Sequence, residues 1–298
     1  MRAAVVTSFG GPEQVEIIET ALPEPGVGQV RIRVAAATLN PVDGAVRAGV
    51  FGGEGRPLGL GWDVAGTVDA VGPGAGFAVG DEVVGLAYGP HKELGTHADH
   101  AVLDATAVAA APRSVDAVHA ATLPLNALTA AQGLDLLALS PGQTLLITGA
   151  AGAVGGFAIQ LAHQQGLIVT ALAGADDEEL VRSLGADHFV PRSGPAAPSG
   201  FDGVLDAAVL GEAALALVRD GGSYAGVIPG AQPASVRSVR TAAVEVSPDG
   251  ARLATLSALV DEGALTLRVA ETHPLAEAAK AHARLAEGGV RGRIVLVP

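Results

Sequence analysis

Three glycines at every third position, Gly149, Gly152 and Gly155, constrain this chain more than any other feature. They stand in TGAAGAVGGFAIQLA, residues 148–162, after the apolar run TLLI and before a helix-patterned stretch. Strand, glycine turn and helix in that order predict the opening βαβ unit of a parallel sheet. Gly149 lets the chain turn tightly, Gly152 lets backbone approach a bound group, and Gly155 lets the helix pack close to the strand. The helix N-terminus then offers unpaired N–H groups and a positive dipole end, which suits a pyrophosphate. The spacing is G-x-x-G-x-x-G rather than G-x-G-x-x-G, so a tight turn with no ligand remains the alternative reading.

The flanking sequence supports the parallel-sheet reading. Downstream, LIVTALA, DDEELVRSLG, HFVP, FDGVLDAAV, EAALALVRD and GSYAGVI alternate strand and helix patterns. Upstream, AAVVTSF, QVEIIE, QVRIRVAAATL, GWDVAGTVDAVG, GDEVVGLA and THADHAVLD are short apolar or alternating runs punctuated by Gly and Pro, which suits an antiparallel barrel. The glycine-dense loop at 49–61 is expected to be a mobile wall. The tail reads strand–helix–strand and is expected to pack back on the first domain. The expected fold class is therefore α/β: a split antiparallel barrel-like domain (residues 1–115 and 265–298) around an inserted, doubly wound parallel-sheet domain (116–264).

Composition excludes several functions. With 18 basic against 31 acidic residues, a net charge of −13 argues against nucleic acid or an anionic membrane surface as partner. The chain has no cysteine, which rules out disulfides, thiolate zinc sites and a cysteine nucleophile. The start, MRAAVVTSFGGPEQVEI, lacks the pattern of a secretory leader, and no stretch is apolar for long enough to span a bilayer. A cytoplasmic protein is the expectation. His91, His97 and His100 lie close in sequence, but without a third or fourth ligand they read as polar residues of a loop and an edge strand.

An ordered set of motifs carries a resemblance: NPVDGAVRAG (40–49), GWDVAGTVDAVG (61–72), VGDEVVG (79–85), LPLNALTAAQGL (123–134), GAAGAVGGFAIQLA (149–162), LGAD (184–187) and GRIVLV (292–297). Together they span nearly the whole chain. The chain resembles the zinc-free quinone oxidoreductases, the zeta-crystallin-like branch of the medium-chain dehydrogenases/reductases. The resemblance implies a GroES-like catalytic domain split around a Rossmann domain. It also implies NADPH as cofactor, a homodimer, and hydride transfer to a quinone or to the activated C=C of an enone. Zinc-dependent relatives carry a cysteine where this chain has Asn40, and a His-Glu pair where it has Trp62-Asp63.

The resemblance also assigns residues. Asn40 would contact the nicotinamide ribose or polarise the substrate carbonyl; a turn residue before Pro41 is the competing reading. Asp43 would fix that turn. Thr129 would lie near the nicotinamide and phosphates, or be only a helix residue. Ala150, Gly152, Ala153 and Val154 would line the pyrophosphate between Gly149 and Gly155. Ala207, Val227 and Ile228 would pass along the nicotinamide half, at the C-terminal ends of parallel strands. Gly174, at the end of the second strand, and Arg293 of GRIVLV complete the expected cofactor contacts.

Several positions depart from the family pattern. A tyrosine often found two residues after the Asp of Asn-x-x-Asp is Ala45 here. Tyr88 becomes a candidate acid, with a surface residue as the alternative, and Tyr224 reads as a core strand residue. A lysine that often serves the 2′-phosphate is replaced by Asp177, read with Asp176 as a helix cap. Arg192 is the expected substitute for that lysine, or else a solvated loop charge. Two further functions stay open: an enoyl reductase acting on a biosynthetic intermediate, and a non-catalytic NADPH-binding sensor or structural protein. The strand RTAAVEV (240–246) is the expected dimer edge.

Overall fold

The computed structural model describes residues 1–53, 55–194 and 197–298. Glu54, within the glycine-dense loop 49–61, lies outside the described residues. The chain forms two compact units, Met1–Leu125 with Ser247–Gly263 and Leu267–Pro298, and Asn126–Val246 with Ala264–Thr266. The helix Gly250–Asp261 thus groups with the first unit, whereas the sequence boundaries put it in the inserted domain.

In the first unit the long strand Gln29–Leu39 is the spine. It pairs antiparallel with Asp63–Val71, His100–Asp104 and the C-terminal strand Arg293–Val297. Glu82–Leu86 and Val108–Ala110 continue the sheet beyond Asp63–Val71. Val30, Ile32 and Val34 alternate inward and meet Val64, Val68, Val83 and Leu103 in a buried cluster. That is the period-2 burial expected of a half-covered sheet. A separate small sheet places Arg2–Val6 between Val15–Glu19 and Leu58–Gly59. The helix Ala278–Glu287 buries Ala278, Ala281 and His282, at the i, i+3, i+4 spacing of one apolar face. The tail therefore does return to the first unit.

The second unit is a six-stranded, all-parallel sheet. Across the sheet the strands run His188–Pro191, Ile168–Ala173, Thr144–Thr148, Phe201–Asp206, Val218–Gly226, Arg240–Ala243. Numbered in chain order this is 3-2-1-4-5-6, the doubly wound arrangement whose order reverses between the first and fourth strands. One element departs from the sequence reading. EAALALVRD holds only a single helical turn, Glu212–Leu215, and Val218 already begins the fifth strand. Val218 is 1% exposed and pairs with Phe201, so sheet burial takes these residues from the helix.

Candidate active site

The glycine turn lies at the reversal point of the parallel sheet. Gly149 has φ +58°, a left-handed conformation that a side chain disfavours. A Cβ on Gly155 would sit 2.7 Å from Ala150 Cα and nearer still to the carbonyl oxygen of Gly149. Helix Ala153–Gln164 can approach the first strand this closely only without that carbon. Gly152 is the N-cap, with no side chain to cover the first-turn N–H groups, and it is exposed. Ala153 and Val154 are half-buried in that first turn, while Ala150 and Gly155 are buried. An open helix N-terminus at a strand-order reversal fits a dinucleotide phosphate.

A buried polar triangle braces the loop beside this turn. Asp206 ends the fourth strand and is 1% exposed. One carboxylate oxygen accepts from Thr148 Oγ1 at 2.6 Å. The other accepts from the Tyr224 hydroxyl and from Gly211 N–H, each at 2.8 Å. Burial and the Asp206 carboxylate both push the Tyr224 phenol up, so it remains a donor. Ala208 N–H donates to Thr148 Oγ1 at 3.0 Å, and a Cβ on Gly149 would meet Ala207 C at 3.2 Å. Ala207 is therefore held against the glycine turn, and Val209 beyond it takes φ +57°, rare for a β-branched residue. Val227 and Ile228 follow the end of the fifth strand, Ile228 at 47% exposure. Thr129 is buried on the helix Pro124–Leu137. Sequence reasoning read 206–210 as a loop along the nicotinamide half, at a strand end, and missed the triangle. The signal was an acidic residue closing the apolar run FDGVLD, with the buried Tyr224 one strand away.

At the end of the second strand, Asp177 is buried and accepts from Gly174 N–H at 3.1 Å, the geometry of a cap. Asp176 is exposed. Arg192 N–H donates to Ala173 O at 2.8 Å, which sets its backbone beside the end of the second strand, and its side chain is exposed.

The first unit carries a second polar cluster. Asn40 caps the helix Pro41–Arg47, and its N–H donates to Asp43 at 2.8 Å. The other Asp43 oxygen accepts from Gly61 N–H at 2.7 Å, so Asp43 fixes the turn. The Asn40 side chain is 1% exposed. Its amide N–H groups point to Asp63 at 2.6 Å and Thr38 O at 3.3 Å, and its oxygen accepts from Arg293. Asp63 also accepts from Leu125 N–H at 2.5 Å. Burial pushes Asp63 up to about 7, against the pull of Leu125 N–H, Asn40 and Arg293. Arg293 also donates to Leu39 O at 2.6 Å, and its Nε is buried without a hydrogen-bond partner. Sequence reading named Asn40 and Arg293 but not Asp63, whose signal was a lone acid in the apolar strand GWDVAG.

Trp62, next to Asp63, is buried, and the Tyr88 ring packs edge-on against it at 5.4 Å between centroids. Tyr88 is 45% exposed. His97 lies in the loop before the strand His100–Asp104, as read from sequence, but it is buried, with Nε2 3.0 Å from Thr38 O. His91 lies near Phe51 O and His100 near Asp69. Among the described residues, no three His, Asp or Glu side chains converge as a metal cage.

Residues 26–113 match the alcohol dehydrogenase GroES-like domain, and residues 178–296 match a zinc-binding dehydrogenase domain. The chain is 32% identical to a 2-methylene-furan-3-one reductase of Solanum lycopersicum over 100% of this chain and 79% of that protein. It is equally similar, at 32% over 100% of this chain and 80% of the relative, to an NADPH-dependent alkenal/one oxidoreductase of Arabidopsis thaliana. The solved quinone oxidoreductase of Coxiella burnetii superposes with a TM-score of 0.89 at 27% identity, covering 100% of this chain and 99% of that one. The parallel sheet, the split GroES-like unit and these full-length likenesses agree, and the chain belongs to the medium-chain dehydrogenase/reductase superfamily as an oxidoreductase of its quinone oxidoreductase and alkenal/one reductase branch.

Proposed function

We propose that this enzyme uses NADPH to reduce a quinone or the activated C=C of an enone. The observation that carries the reading is the glycine turn Gly149–Gly155, which brings a helix N-terminus close against the first strand at the strand-order reversal of a parallel sheet. Within the parallel-sheet unit, Gly149, Ala150, Gly152, Ala153, Val154 and Gly155 would hold the pyrophosphate, and Ala207, Val227 and Ile228 would flank the nicotinamide half, with Thr129 as a further contact. When bound, the nicotinamide supplies a hydride. The protein supplies position and hydrogen bonds. With its amide engaged by Asp63 and Arg293, Asn40 sets the backbone where the strand Gln29–Leu39 passes into the helix Pro41–Arg47, and would reach the cofactor or acceptor through it. Tyr88 offers the exposed phenol. Arg192, beside Gly174, meets the 2′-phosphate, while the inward Asp177 is withdrawn from it.

NADPH oxidation, with NADH in parallel, against an ortho-quinone, a simple enone and an enoyl thioester tests this reading. Turnover of quinone or enone with NADPH supports it. Turnover of the thioester alone moves the assignment to an enoyl reductase, and no turnover of any acceptor overturns it. We also propose a cytoplasmic homodimer. The outermost strand of the parallel sheet, Arg240–Ala243, is a free edge for a second copy, and a monomer by light scattering refutes that.

A further inference from the structure

Only two lysines occur in the chain, and one of them, Lys92, is half-buried with its ammonium turned onto protein acceptors. Its ammonium donates to Ala87 O at 3.1 Å and to Gly89 O at 2.6 Å. These are the carbonyls immediately before and after Tyr88. The same ammonium sits 4.1 Å from the centroid of the Trp62 ring, whose edge-on partner is Tyr88. The turn is also fastened by backbone: Ala87 N–H donates to Trp62 O at 2.7 Å, and Gly59 N–H donates to Lys92 O at 2.8 Å. Trp62, Ala87, Tyr88, Gly89 and Lys92 therefore close a loop around one positive charge. Two carbonyl acceptors and an aromatic face take up its donors, each of them stronger when the group is charged.

We propose that Lys92 is a positioning residue of the acceptor site: its ammonium staples residues 87–92 onto Trp62 and so aims the Tyr88 ring, and loss of its proton releases that turn. Tyr88 is exposed while Trp62 is buried and Lys92 half-buried beside it, so the turn presents one aromatic face on a fixed base. A flat, electron-poor ring such as a quinone is the acceptor class that gains most from a fixed aromatic wall. A neutral amine keeps two N–H donors but loses the attraction of the indole face. The charged groups facing the ammonium are Asp43, from the helix Pro41–Arg47, and Asp63, from the strand Asp63–Val71; both favour its charge. On its own turn stand the Tyr88 phenol, His91 and Glu93. Burial outweighs the two carboxylates and brings Lys92 down to about 8, within reach of ordinary assay conditions.

The inference rests on the reductase reading in one respect, that Tyr88 faces the acceptor. Its first test does not. Trp62 is the single tryptophan of the chain, so its fluorescence reports on the ammonium above it. A titration of the full chain from about pH 6 to about pH 9.5, below free-tyrosine ionisation, is expected to show a transition near pH 8. Lys92→Met is expected to abolish it, Lys92→Arg to abolish it while keeping the low-pH signal, and Tyr88→Phe to retain it. A flat wild-type titration, or a transition that survives in Lys92→Met, overturns the proposal. The second test is the quinone KM against pH. It is expected to rise about tenfold above the transition in the wild type, to be raised at every pH in Lys92→Met, and to stay low across the range in Lys92→Arg. A Lys92→Met KM profile that superposes on the wild type overturns the positioning role. Failure to turn over any acceptor instead refutes the reductase reading, and the fluorescence titration still decides whether Lys92 holds the turn.

Discussion

Replacing Tyr224 by Phe removes one oxygen from the triangle that braces the loop after the fourth strand. The ring stays, so packing is preserved and the change isolates a hydrogen bond. The hydroxyl donates at 2.8 Å to Asp206, which is 1% exposed and receives only Thr148 Oγ1 and Gly211 N–H besides. Hydrogen bonds to a buried charged group contribute about 1.5–3 kcal/mol, and the orphaned oxygen cannot recover water. At about 2–4 °C per kcal/mol for a domain of this size class, melting should fall by roughly 3–12 °C. Thr148→Val should cost a similar amount, and the double variant should be non-additive, because both donors serve one carboxylate. Cofactor affinity, measured by fluorescence of bound NADPH, should weaken in both single variants, since Ala207 and Ala208 are tied to the same triangle. A Tyr224→Phe melting temperature within about 1 °C of the wild type refutes the reasoning. It would mean that Asp206 does not depend on that donor.

Gly155→Ala forces a methyl group against Ala150 Cα at 2.7 Å and should cost about 1–3 kcal/mol by overpacking, with loss of cofactor binding; thermal melts and binding titrations check both. Arg192→Ala should weaken NADPH binding by roughly 10- to 100-fold, the value of a charge-assisted contact, and leave NADH binding unchanged; equal effects on both cofactors rule out a 2′-phosphate contact. His282 is held down to about 3, chiefly by burial, so it stays neutral in the fold while the unfolded chain takes up a proton. Its folded pKa lies below its unfolded one. The neutral histidine therefore costs nothing above about pH 6.5, and stability is lost progressively as pH falls from there toward 3. His282→Gln should flatten that part of the acid-denaturation profile; an unchanged slope refutes the assignment.

The parallel sheet was legible because its signals are local. The first two strands, TLLIT and IVTALA, are mostly apolar runs, as burial on both faces requires, and the glycines report backbone geometry directly. The tail was legible for the same reason, through the spacing of Ala278, Ala281 and His282. What stayed hidden was pairing between distant residues. Asp63 and Asn40 are 23 positions apart, and Arg293 lies 253 beyond Asn40, so nothing in their local sequence announces one cluster. His97 showed the converse failure. Its neighbours read as polar residues of a loop and an edge strand, and nothing there signalled that a ring bonded to Thr38 O sits inside. EAALALVRD failed where helix propensity met a buried sheet position at Val218, and tertiary burial won.

The C-terminal strand has a consequence for how the chain is made. Arg293–Val297 lies against residues 37–39 and carries the arginine that meets Leu39 and Asn40. During synthesis, the first 125 residues emerge with one neighbour of their spine strand still untranslated. The parallel-sheet unit, almost continuous from Asn126 to Val246, holds its own contacts long before that strand is made. Vectorial folding should therefore run from the middle of the chain outward, with the sheet of the first unit waiting as an open edge for Arg293–Val297. Ribosome-arrested chains ending before Arg293 should protect the central segment from protease and leave the amino-terminal segment cleavable, so the final residues act as the latch that completes the unit begun first.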